Sequence, residues 1–142
     1  MNNVIIDRMR QEVVELGAKE LLTPEDVDAT VPEFHGSMLV FINSVCGCAA
    51  RNARPALKEA WESPNHPDAL VTVFAGQDME ATARARNYFG NEPPSSPSFA
   101  LMRDGKLVQM IHRYQIIHQS PEIVAQLLRD AFDKVCAQSV ML

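Results

Sequence analysis

The sequence lacks most of what would place it outside the compact soluble classes. It has three cysteines in 142 residues, an odd count and far below the density of a disulfide-stapled secreted domain. Its longest purely apolar run, Met38 to Ile42, is far short of the ~20 residues that cross a bilayer. Lys and Arg number 13 against 18 Asp and Glu, a formal charge of −5. That deficit of positive charge argues against a nucleic-acid partner, which calls for a basic patch. Asp7, Arg8 and Arg10 interrupt the N-terminal residues, leaving no signal-peptide apolar region. No internal repeat or low-complexity tract is visible. A soluble, cytoplasmic protein with no membrane partner is therefore expected.

Hydrophobic residues make up 46% and charged residues 22%, both near the globular average. A chain of this length reads as a single domain over residues 1–142, able to bury a core without a metal or disulfide. Ile5, Met9, Val13 and Leu16 share one face of a helix that Gly17 stops. Thr23, Pro24 and Asp26 open a second, short helix as cap, first-turn proline and capping-box acid, and Val31-Pro32 ends it. Residues 38–42 form a continuous β-branched and aromatic run, the mark of a strand buried on both faces. The stretch 49–61 favours helix, with Pro55 imposing a kink or a late start.

Residues 69–75 read as a second buried strand. Asp78 can cap a helix running to about Phe89. The proline- and serine-rich stretch 90–98 is a loop, followed by a strand at 99–102. Asp104-Gly105 is a two-residue hairpin turn leading to a strand at 106–112. Ser120-Pro121-Glu122 opens the last helix, with Ile123, Leu127, Ala131 and Val135 as its apolar stripe, widened by Val124, Leu128 and Phe132. The order α, α, β, α, β, α, β, β, α implies an α/β protein with a mixed central sheet and helices on both faces. This is the element order of the thioredoxin fold with an N-terminal helical addition.

Cys46-Gly47-Cys48 sits between a buried strand and a helix start. Unpaired amides and the dipole at a helix N-terminus stabilise an anion, and a thiolate is one. A free thiol titrates near ~8.5 and such sites lower this to ~3.5–7.5. A fall of two units stabilises the thiolate by roughly 2.7 kcal/mol. Disulfide geometry requires the chain to bend sharply between the two cysteines, which Gly47 permits. The small ring is strained and easily reduced, which suits mixed-disulfide exchange over deep reduction. Cys46 should be partly accessible and Cys48 less so.

Two other readings stand beside the redox one. The pair is also compatible with a soft-metal (zinc or copper) module recruiting Cys136 or a histidine, although no metal-motif spacing is present. The thiols are equally compatible with a purely structural role in an interaction protein. Ser95-Ser96-Pro97-Ser98 is either an ordinary turn before a strand or a cis peptide at Ser96-Pro97 facing the cysteines.

Val45-Cys46-Gly47-Cys48-Ala49-Ala50 with Asn52-Ala53-Arg54-Pro55 resembles the signature of the bacilliredoxin family, thioredoxin-like proteins with a C-G-C site. Residues 73–78, the segment from Glu92-Pro93 to Pro97 and the late Cys136 extend the resemblance over most of the chain. It implies that Cys46 attacks, that Cys48 resolves, and that Pro97 is the cis-proline beside the site. It further implies removal of bacillithiol, a low-molecular-weight thiol serving as co-substrate, from mixed disulfides on client proteins. No bound cofactor is implied, and disulfide isomerase activity is attributed to the same family.

Arg51 stands where the family commonly has glycine. It is a solvent-facing helix residue, or its guanidinium meets the malate carboxylates of bacillithiol or steadies the thiolate. Gly47, Ser96, Pro97, Arg51 and Arg54 are the candidate substrate-contacting residues, with Arg54 also readable as a paired helix residue. His112 is a candidate proton donor or a structural residue. Trp61 reads as packing, and Cys136 as a peripheral thiol or a third redox sulfur.

Overall fold

The computed structural model describes residues 3–137. Five strands form one sheet in the order β1-β3-β2-β4-β5. They are β1 (Lys19–Glu20), β2 (Ser37–Asn43), β3 (Ala69–Phe74), β4 (Ser98–Arg103) and β5 (Lys106–Ile111). β1 and β2 run parallel to β3, while β4 pairs antiparallel with both β2 and β5. The helices are α1 (Asn3–Val14), α2 (Pro24–Thr30), α3 (Arg54–Trp61), α4 (Met79–Arg86) and α5 (Pro121–Ala137).

β2 explains the layering. Every residue from Ser37 to Asn43 is buried, because a central strand covered on both faces has no solvent side. Leu39 and Phe41 point into one apolar layer with α3 and α5, where Phe41 stacks on Phe99 at 4.9 Å. Met38, Val40 and Ile42 point into the opposite layer with α2 and α4. Trp61 is a packing residue, stacked on His66 and edge-on to Phe132. The expected mixed sheet with helices on both faces and an N-terminal helix is the architecture observed.

The Thr23–Asp26 capping box is present in both directions. In the hairpin turn both Asp104 and Gly105 have positive φ, the backbone that a two-residue turn demands. A Cβ on Gly105 would also fall 2.6 Å from the Pro32 carbonyl oxygen. Asp78, expected to cap α4 with its side chain, makes no such bond. Its carboxylate instead receives Arg10 at 2.7 Å, a bond between two charged groups rather than between a carboxylate and a neutral N–H.

The apolar stripe of α5 is observed from Val124 onward and fails only at its first residue. Ile123 is 50% exposed, and the core face is Val124, Ala125, Leu128, Ala131, Phe132 and Val135. On α1, Ile6 is buried where Ile5 was expected. Strand β1 was not anticipated, since two residues carry no periodicity and pair through backbone alone.

Phe99→Ala removes a fully buried ring at the β2–β4 seam. It is expected to cost about 3–5 kcal/mol of stability, read as a lower urea midpoint at unchanged slope.

Candidate active site

Strand register brings three distant segments to one end of the sheet. Ile42 near the end of β2 pairs with Ser98 at the start of β4, so residues 44–48 and 95–97 lie side by side. Ile111 at the end of β5 pairs with Phe99, which delivers residues 112–115 to the same edge. The Ser96-Pro97 peptide is cis.

The C-G-C turn leads into a π-helical segment at Ala49–Ala53, and α3 begins only at Arg54. The Arg54 N–H reaches back five residues to the Ala49 carbonyl. Pro55 has no N–H with which to continue an ordinary ladder from this point, and π segments concentrate at functional sites. The late helix start signalled by Pro55 is thus realised as a wider turn directly after the cysteines.

Cys46 is half-buried and Cys48 buried, and both thiols are reduced. Partial burial opposes charge on Cys46. Four hydrogen bonds outweigh it, from the Cys48 thiol, the Ser44 hydroxyl, the Ala49 backbone N–H and the Arg113 guanidinium, and hold the Cys46 thiol at about 7. Burial pushes Cys48 the other way, and the charge on Cys46 beside it adds to the rise. The two sulfurs therefore ionise in sequence, Cys46 first. The expected amide stabilisation is present as one N–H among four donors.

Arg113 is the functional residue that sequence reasoning missed. Its Nη1 donates to Cys46 Sγ at 3.4 Å, to Cys48 Sγ at 3.2 Å and to the Ser96 carbonyl at 3.1 Å. An arginine 67 positions from Cys46 in the chain gives no local signal; only its place directly after the β5 strand pointed toward this end of the sheet.

Arg51 is exposed, and its guanidinium lies over Gly47: a Cβ on that glycine would fall 2.7 Å from Arg51 Nη2. Ser96 contributes its carbonyl to Arg113, and Pro97 is buried beside it.

Arg54 takes a different place from the substrate contact expected of it. It is 5% exposed. Its Nη1 donates to Asn43 Oδ1 and the Ser44 carbonyl, each at 3.0 Å, and its Nε pairs with Glu12 of α1. A buried guanidinium requires partners on every side, and here they are the floor of the cysteine loop. Ser44, so held, accepts from the Cys46 N–H at 3.2 Å. Asn52 plays the matching part on the other side, donating to the Ile116 carbonyl at 2.9 Å and tying the segment that carries Arg113 to the π turn.

His112 is buried. Its Nε2 meets Glu92 at 2.7 Å and its Nδ1 meets Ser95 at 2.7 Å, so it braces the loop before Pro97 and does not face the sulfurs. Cys136 lies near Ser37, at the opposite end of β2 from Cys46, which separates it from the pair. Among the described residues no group of three or more His, Cys, Asp or Glu is arranged to hold a metal ion. No helix there is long and apolar enough to cross a membrane.

A paired-cysteine turn with one sulfur activated and the other held protonated, next to a cis-proline, defines a thiol–disulfide oxidoreductase of the thioredoxin fold. Solved structures agree on the fold: Fasciola hepatica thioredoxin superposes with a TM-score of 0.58 at 21% identity, covering 82% of this chain and 98% of that one. Trypanosoma brucei brucei thioredoxin gives 0.58 at 18% identity, covering 84% and 91%.

The sequence relatives are more specific. A family model described as "Disulphide isomerase" matches residues 1–136. A bacilliredoxin of Geobacillus kaustophilus is 57% identical over 136 residues, 96% of this chain and 93% of that protein. One from Halalkalibacterium halodurans is 50% identical, covering 95% and 92%. The chain belongs to the bacilliredoxin family.

Iodoacetamide at neutral pH is expected to modify Cys46 ahead of Cys48 and Cys136, both of which are raised. The Cys46 rate should rise through a midpoint at about 7. Ser44→Ala removes one donor to the anion, which is worth about 1.5 kcal/mol. The midpoint should move up by about one unit; a midpoint that stays in place removes Ser44 from the set of donors.

Proposed function

We propose that this protein removes bacillithiol from mixed disulfides on client proteins in the cytoplasm, with bacillithiol as co-substrate and no bound cofactor. The observation that carries the reading is the half-exposed Cys46 sulfur, held near neutrality in its titration and flanked by Arg51 and Arg113, neither of which has a carboxylate partner among the described residues. In a chain of net charge −5, an exposed Arg51 beside the nucleophile, with Arg113 already balancing the thiolate, suits an anionic visitor.

The Cys46 thiolate attacks the bacillithiol sulfur of the client mixed disulfide. The Cys46–bacillithiol bond forms, the client–bacillithiol bond breaks, and the client thiolate leaves and takes up a proton. Either a second small thiol attacks the bacillithiol sulfur and leaves Cys46 as thiolate, or Cys48 loses its proton and attacks the Cys46 sulfur, closing the Cys46–Cys48 disulfide and releasing bacillithiol with its electron pair. Two low-molecular-weight thiols then reduce this disulfide to the dithiol in successive exchanges and leave as their own disulfide. Gly47 and the Ser96-Pro97 peptide border the approach to the sulfurs, and Arg51 meets the malate carboxylates. The same attack on a client's own disulfide makes isomerisation available, a second reading that the description of the family model supports.

Cys46→Ala is expected to abolish removal of bacillithiol from an S-bacillithiolated client. Cys48→Ala should retain the first transfer and accumulate a Cys46 adduct of the mass of one bacillithiol. Full activity in the Cys46 variant would end the reading. Arg51→Gly should slow the first transfer from bacillithiol disulfide by about two- to fivefold, the worth of an exposed ion pair. It should leave the rate with an uncharged disulfide unchanged; equal rates with both probes remove Arg51 from recognition.

A further inference from the structure

Arg113 stands as close to the resolving sulfur as to the attacking one. One nitrogen, Nη1, reaches Cys46 and Cys48 together, and the Ser96 carbonyl anchors it between them. Activation of the nucleophile alone requires contact with Cys46 only. Arg51 does not duplicate the arrangement, since its guanidinium lies over Gly47 and no hydrogen bond joins it to either sulfur.

When the resting dithiol ionises, the charge goes to Cys46, whose thiol is lowered to about 7, ahead of Cys48. Burial, the hydrogen bond to Cys46 and the charge on Cys46 keep the proton on Cys48, while Arg113 pulls in the opposite direction. Attack changes this balance. Once Cys46 is bonded to a small thiol its sulfur is neutral, so it neither holds the Cys48 proton nor repels a second charge. The cation remains, anchored by Ser96.

We propose that Arg113 is a catalytic residue for both sulfur exchanges: it balances the charge on Cys46 before attack and, in the adduct, balances the charge on Cys48 as that sulfur becomes the second nucleophile. This rests on the reading of Cys46 as attacking and Cys48 as resolving sulfur, and it does not depend on which small thiol is carried. In the second exchange Cys48 gives its proton to solvent, its thiolate attacks Cys46, the Cys46–Cys48 bond forms, and the small thiol leaves with its electron pair and is protonated. Two electrons pass from the protein dithiol to the mixed disulfide.

The other ionisable groups around the sulfurs are already occupied or displaced. His112 pairs with Glu92 behind Arg113, Arg54 pairs with Glu12 beneath Ser44, and Arg51 covers Gly47. None of them makes a hydrogen bond to Cys48, so the pH dependence of the second exchange is expected to follow Cys48 under the influence of Arg113.

The test is single-turnover reaction with bis(2-hydroxyethyl) disulfide, a probe without carboxylates, followed by acid quench and mass spectrometry. The Cys48→Ala background isolates the first exchange. Arg113→Met is expected to slow adduct formation at pH 6.5 by about three- to tenfold, to slow ring closure by about tenfold, and to move the pH midpoint of closure up by about one unit. Arg113→Lys should restore part of both rates, since a point charge replaces the planar cation. If adduct formation slows but closure keeps its wild-type rate and midpoint, Arg113 serves Cys46 alone and the proposal is overturned. If wild-type Cys46 takes up no probe at all, the attacking-sulfur reading fails and the proposal goes with it.

Discussion

Negative charge on a half-buried sulfur is costly unless donors replace the water it has lost. The Cys46 thiolate meets that condition with four donors of different kinds: a thiol, a hydroxyl, a backbone amide and a guanidinium. Each comes with its own structural requirement. The thiol needs the one-residue spacing of the cysteines. The amide needs the turn that opens the π segment. The hydroxyl needs the loop after β2 to be held still, and the guanidinium needs β5 to end at the same sheet edge. Much of the rest of the architecture can be understood as meeting these requirements together.

The run Asn52-Ala53-Arg54-Pro55 illustrates how. Asn52 ties down the segment that bears Arg113, and Arg54 ties down the loop that bears Ser44. Pro55 marks the place where the wide turn becomes an ordinary α-helix. None of the three is hydrogen-bonded to a sulfur, yet they set the positions of two of the four donors. Through the Arg54–Glu12 pair and the Asn43 bond to the Met9 carbonyl, α1 joins the same support. The N-terminal helix is therefore coupled to the thiolate by hydrogen bonds as well as by packing.

Legibility varied with the range of the signal. β2 was readable because Met38 to Ile42, the buried apolar centre of the strand, leaves a contiguous apolar trace, and the Asp104-Gly105 turn because its φ requirement falls on two adjacent residues. The α5 stripe was legible except at its first residue: Ile123 and Val124 are both apolar, and only the way the helix meets its neighbours decides which of the two faces inward. Arg51 and Arg54 looked alike as cations after the cysteines. The first lies over Gly47 in solvent and the second is buried under the loop, a difference of side-chain direction on one turn of chain.

By itself the sequence determined most of the alternating elements, the layered α/β class, the position of the C-G-C pair and the family it resembles, because these rest on neighbours within a few residues of one another. Only the tertiary structure decided which sulfur carries the charge and what holds it there. That follows from strand register, which sets Ser96 and Arg113 against Cys46 and Cys48 across separations of up to 67 positions. Hydrogen bonds act over about 3 Å, and no pattern along the chain records which distant groups will come within that distance.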